Sequence, residues 1–139
     1  MLDVNLKGSF LVAQAVARKV VADGTKGAIV NISSSSVRGH VLGVHYSASK
    51  NGIIGITRSM ALALAPHGIR VMRSRPASRI RQPRYQFSEA ELAEQSRLVP
   101  LGNMASPSEI ADVLVFLALP DARFMTGVTV HANGGLYMA

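Results

Sequence analysis

The chain of 139 residues has no cysteine and no tryptophan, and only 5% of it is aromatic. Without cysteine, disulfides and thiolate metal sites are excluded. Acid is scarce: 8 Asp and Glu stand against 15 Lys and Arg, for a net charge of +7. No apolar run approaches the roughly 18 residues that a membrane span needs, and the N-terminus lacks the basic, apolar, small-residue order of a signal peptide. No membrane partner and a cytoplasmic setting are expected by elimination. Repeats and Pro/Gly/Ser-rich linkers are missing, so one domain at most is expected. The four histidines, His40, His45, His67 and His131, have no ligand-like spacing, and no metal is expected.

What is present reads as an alternating α/β chain. Hydrophobic content of 48% and charged content of 17% argue against disorder. Residues 1–22 place Leu2, Leu6, Phe10, Ala13, Ala17 and Val20 at helical spacing before Asp23-Gly24. Residues 27–33 form a continuous apolar strand of the buried, parallel kind. A Ser/Gly-rich loop leads to a helix from Tyr46 to Ala65, stopped by Pro66 and Gly68. Ile69–Met72 reads as the next strand, truncated by an arginine-rich segment. Ser88 with Glu91, and Ser106-Pro107 with Glu109, start two further helices as capping boxes, the second running to Leu119. Val128–His131 is the last strand, and Gly134-Gly135 turns the chain out. His67 reads as a helix C-terminal cation, and Met104 and Met125 as packing residues.

The chemistry concentrates in Tyr46-Ser-Ala-Ser-Lys50, with the serine run Ser33–Ser36 upstream. A tyrosine and a lysine four apart share one helix face. The ammonium favours the tyrosinate, drawing a phenol pKa from about 10 toward the working pH. Such a phenol can give or take the proton of a carbonyl or alcohol, and a serine hydroxyl can hold the substrate oxygen as charge develops. A lone Tyr-x-x-x-Lys carries little weight. Its setting carries more: Gly27-Ala-Ile-Val-Asn-Ile-Ser-Ser34 runs into the serines, and Asn51-Gly-Ile-Ile-Gly-Ile-Thr57 follows the lysine.

These stretches, with Asp3-Val-Asn-Leu-Lys-Gly-Ser9, Pro100-Leu-Gly102, Pro107-Ser-Glu-Ile-Ala-Asp112, Thr126-Gly127 and Asn133-Gly-Gly135, resemble the short-chain dehydrogenase/reductase family in its compact, 3-oxoacyl-carrier-protein-reductase-like form. The resemblance covers nearly the whole chain. It implies that residues 1–139 are part of a Rossmann-like, doubly wound domain: the last three parallel strands of the sheet with flanking helices. It implies a tetrad of Asn5, Ser34, Tyr46 and Lys50, with Tyr46 as acid/base, the serine orienting substrate, and Lys50 binding the nicotinamide ribose. Ile32 and Pro76 join Tyr46 and Lys50 as expected contacts of an NAD or NADP cofactor. Ser33 is the alternative to Ser34, since the family's usual gap to the tyrosine is one residue longer; strand register favours Ser34. A small carbonyl or alcohol substrate is implied, and so is a homodimer or tetramer built on the helices of residues 1–22 and 46–65.

Two family features are missing. No Gly-x-x-x-Gly-x-Gly or Gly-x-Gly-x-x-Gly turn follows a strand to cradle a pyrophosphate, so tight cofactor binding by this chain alone is not expected. The expected Asn-Ala-x-x-Pro-Gly after Val71 is replaced by Met72-Arg-Ser-Arg-Pro-Ala-Ser-Arg-Ile-Arg81. These residues can be encoded so that a one-base shift reads Asn-Ala-Ile-Ala-Pro-Gly-Leu-Ala-Asp-Thr, the family pattern in register up to Gln82. The hypothesis is a local frameshift between two compensating changes; gene sequencing that showed no such alternative frame would remove it. Arg73, Arg75, Arg79 and Arg81 carry four of the seven net positive charges. They invite adventitious polyanion binding, but no nucleic-acid motif accompanies them and no nucleic-acid partner is expected.

Two readings follow for function: an NAD(P)-dependent oxidoreductase, or a catalytically inactive remnant that keeps only the family's oligomer surfaces. The exposed edge of the first strand is expected to make the isolated chain marginally soluble.

Overall fold

The computed structural model describes residues 1–39, 41, 43–76 and 88–138. An N-terminal π-helical turn, Asp3–Gly8, runs into α1 (Ser9–Ala22). Then come β1 (Gly27–Ile32), α2 (Val44–Leu64), β2 (Ile69–Pro76), α3 (Glu89–Arg97), α4 (Pro107–Ala118) and β3 (Thr129–Ala132). The strands form one parallel sheet in the order β1-β2-β3. The α/β class and the three-stranded parallel architecture are as the sequence implied.

Side-chain alternation along β2 sorts the layers. Ile69 and Val71 are buried against Ala61 of α2, with Val20, Ile29, Met60 and Leu64 around them. Arg70 points to the other face, where its guanidinium donates to the carbonyls of Leu117, Ala118, Leu119 and Ala122 at 2.8–3.1 Å. Leu117 and Ala118 lie in the last turn of α4, with Leu119 and Ala122 just beyond it, so a cation there suits the negative end of the helix dipole. Asn31, buried in β1, donates to Thr57 Oγ1 at 3.0 Å and ties α2 to the sheet. Gly52 faces the π-helical turn, where an added Cβ would lie 2.5 Å from Leu6 Cδ1; its bareness lets that turn sit against α2.

Both capping boxes are formed, Ser88 with Glu91 and Ser106 with Glu109. One boundary needs correction. The second strand does not stop at Met72; it continues through Arg73, Ser74 and Arg75 to Pro76. Backbone pairing decides this: Arg73 and Ser74 are flanked on both sides, by Asn31 and Ile32 of β1 and by Thr129 and Val130 of β3. In a central parallel strand that ladder outweighs side-chain polarity. Arg79, Arg81 and the segment rejoining at Gln82 lie outside the described residues, as does His40. The other edge of β1 carries no partner strand among the described residues. No helix among the described residues is long and apolar enough to cross a membrane.

Candidate functional site

The candidate residues lie at the C-terminal ends of β1 and β2, where ligands enter open α/β sheets. Helix α2 begins just behind β1, and its first turns put Tyr46 and Lys50 on one face. Lys50 Nζ donates to the Ile32 carbonyl at 3.0 Å and lies 5.9 Å from the centre of the Tyr46 ring. Burial holds the Lys50 ammonium below the ordinary lysine range. An ammonium has three donors, and the described residues engage one of them, on the Ile32 carbonyl.

The loop from Ser33 to Arg38 is pinned to the start of α2 by Ser47 Oγ on the Ser36 carbonyl (2.6 Å) and Asn51 Nδ2 on the Val37 carbonyl (3.0 Å). The two candidate serines differ in placement. Ser33 is buried, and its hydroxyl donates to the Lys50 carbonyl (3.1 Å) while accepting from Arg73 Nη1 (3.2 Å). Ser34 is half-buried; its Oγ caps the short 3-10 turn Ser35–Arg38 by accepting from the Ser36 amide (3.2 Å) and meets Ser36 Oγ at 3.2 Å. Asn5 sits in the π turn and reaches Ser49 Oγ at 3.3 Å, and Ser49 donates to the Tyr46 carbonyl at 2.7 Å. Asn5, Ser49, Tyr46, Lys50 and Ser33 thus form one connected set, with Ser34 at its edge. Ile32 is joined to it through its carbonyl, and Pro76 ends the neighbouring strand opposite Ala132.

Sequence reasoning missed Arg73. It is 6% exposed, and its Nε donates to Thr129 Oγ1 at 2.6 Å. Burial, then the charges of Arg58 and Arg75, depress its pKa. No carboxylate is paired with it among the described residues. Nothing in the local sequence signals that burial, because it follows from the strand's central place in the sheet.

A groove of about 680 Å³ runs along the free edge of β1 under α1, with Val4, Val12, Val16, Asn31, Ile32 and Lys50 among its walls. For a dinucleotide cofactor the fit is partial. The Lys50 ammonium and the Tyr46 phenol suit the ribose end. No three-glycine strand-to-helix turn among the described residues suits the phosphates.

Comparison with known proteins agrees with this anatomy. The family model described as enoyl-(acyl carrier protein) reductase matches residues 1–137. The (3R)-3-hydroxyacyl-CoA dehydrogenase of Mus musculus is 39% identical over 139 residues, covering 99% of this chain and 54% of that protein. The 3-oxoacyl-[acyl-carrier-protein] reductase FabG of Aquifex aeolicus is 39% identical over 138 residues, with 99% and 55% covered. Among solved structures, sorbitol-6-phosphate 2-dehydrogenase SrlD from Erwinia amylovora superposes with a TM-score of 0.86 at 30% identity, covering 99% of this chain and 59% of that one. The chain spans about half the length of these curated relatives. With the parallel sheet, the Tyr46–Lys50 helix and a family match across residues 1–137, the chain belongs to the short-chain dehydrogenase/reductase family.

Proposed function

We propose that the chain carries the proton-handling half of an NAD(P)-dependent oxidoreductase site, acting on a small carbonyl or alcohol within a homodimer or tetramer. The observation that carries this reading is the Lys50 ammonium, anchored on the Ile32 carbonyl and set 5.9 Å from the Tyr46 ring. A nicotinamide, when bound, supplies or takes the hydride at the carbon being reduced or oxidised. Tyr46 gives the proton to the substrate oxygen in reduction and takes it back in oxidation. Ser34 is the residue we assign to hold that oxygen, since among the described residues its hydroxyl is bonded only within the Ser34–Ser36 turn, and it is half-buried. Lys50 places its positive charge beside the Tyr46 ring and offers its remaining donors to the ribose. Asn5 fixes the Tyr46 turn through Ser49.

Nicotinamide absorbance followed with a 3-oxoacyl thioester, a ketone and a sugar, at millimolar NADH or NADPH, tests this. Turnover that falls at least about a hundredfold in Tyr46→Phe is expected; turnover indifferent to that change would refute the assignment. A second reading has its own support. The phosphate-cradling turn is not found among the described residues, β1 has a free edge, and Arg73 is buried without a counter-charge. Those features suit a chain that does not complete a reductase site by itself. Absence of turnover with either cofactor would favour this second reading.

A further inference from the structure

Beyond the Lys50–Tyr46 set, the C-terminal ends of β2 and β3 gather positive charge with no carboxylate ion pair among the described residues. Arg75 is 5% exposed. All eight acidic residues of the chain lie among the described residues, and the ion pairs there are Lys19–Asp23 and Arg97–Glu94. A buried guanidinium without an ion-pair partner is costly unless an anion meets it.

The surroundings of Arg75 are organised. Its Cζ lies 4.5 Å from the centre of the Tyr137 ring, and that of Arg38 lies 4.4 Å from the same ring. Two like charges are therefore held over one aromatic side chain. Asn133 shapes the turn that presents this ring, donating to the Tyr137 carbonyl at 2.7 Å and accepting from the Gly135 amide at 3.1 Å. Of the five N–H donors on each guanidinium, the described residues engage one from Arg75, on the Ser35 carbonyl at 3.3 Å. His131 meets Tyr137 edge-on at 5.4 Å, and its buried Nδ1 has no hydrogen-bond partner among the described residues. Beside the two guanidinium groups and the Tyr137 ring lies a cavity of about 40 Å³, with Ser35, Arg38, Arg75, Pro76, Asn133 and Tyr137 in its wall.

We propose that this cavity is an oxyanion site, in which Arg38 and Arg75 hold the carboxylate or phosphate head of a small molecule. The donors suit oxyanion recognition, because guanidinium forks match carboxylate and phosphate geometry. The size suits one head group: about 15 Å³ admits a single water, so the space takes a few atoms rather than a nucleotide. Hydride transfer is not required for the site to bind.

Inorganic phosphate and sodium acetate, titrated separately into the full chain at constant ionic strength, provide the test, with the His131 and Tyr137 ring signals followed by NMR. Saturable shifts are expected with at least one of the two anions. Saturation by phosphate alone identifies a phosphate head, and by acetate alone a carboxylate. Arg38→Gln, a change at an exposed side chain, should weaken the apparent affinity at least about tenfold. Arg75→Lys, which keeps the charge but loses the planar fork, should weaken it too. Shifts that stay linear with concentration, or are the same in wild type and Arg38→Gln, would show an adventitious ion only and overturn the proposal. Absence of any shift would do the same.

Discussion

Replacing Arg73 with methionine should stabilise the fold, against the usual direction of core substitutions. The residue is 6% exposed in the middle of the sheet, and its guanidinium has no carboxylate partner among the described residues. Burying an unpaired charge costs several kcal/mol, here taken as about 5. Its bonds to Thr129 Oγ1 and Ser33 Oγ return about 1.5 kcal/mol each. Methionine keeps most of the volume and adapts its shape, and Ser33 retains its bond to the Lys50 carbonyl. The net expectation is a gain of about 2 kcal/mol, or about 6 °C in Tm for a chain of this size. Urea denaturation followed by circular dichroism at low micromolar protein reads it directly. A midpoint that is unchanged or lower, with the same m-value, would refute the view that Arg73 is strained where it lies.

Further outcomes follow from single residues. Arg70→Met should cost about 2 kcal/mol, because the carbonyls of Leu117, Ala118, Leu119 and Ala122 lose a shared donor; the same urea titration checks it. His131 has its pKa lowered, by burial first and then by Arg75 and Arg73. Since the unfolded chain then binds the proton more readily, His131 costs stability as pH falls below about 6.5, and urea midpoints at pH 7.5 and 5.5 should differ less in His131→Gln. Ser106→Ala removes the hydroxyl that accepts from the Glu109 amide and should destabilise α4 by about 1 kcal/mol, readable as lost hydrogen-exchange protection in that helix. Sedimentation should show self-association that rises with concentration and weakens in Val12→Lys, since Val12 walls the groove beside the free edge of β1.

The parts of this fold that could be read from residue order are those governed by local rules. Ser88–Glu91 and Ser106–Glu109 start helices because a hydroxyl and a carboxylate three residues apart satisfy backbone amides wherever they occur. Tyr46 and Lys50 share a face because helical geometry requires it. The long-range features were not legible. Polar Arg73, Ser74 and Arg75 contradict a strand pattern, yet two neighbouring strands pull them into the sheet, leaving Ser74 Oγ buried without a partner among the described residues. In the alternative frame of the frameshift hypothesis, alanine would stand at both arginine positions. The pairing of Arg38 and Arg75 over Tyr137 joins residues far apart in sequence and has no local signature. The Asn5–Ser49–Tyr46 connection is intermediate: Asn5 was marked by its motif, but Ser49 as the link was not.

The central claim is that Tyr46 moves the substrate's proton. Its most direct test uses a nicotinamide cofactor deuterated at C4, a 3-oxoacyl thioester analogue, and mass spectrometry of the product, which detects turnover too slow for absorbance. The account predicts deuterium at the new carbinol carbon with wild type and at least about a hundredfold less with Tyr46→Phe. Equal incorporation by both proteins would contradict it.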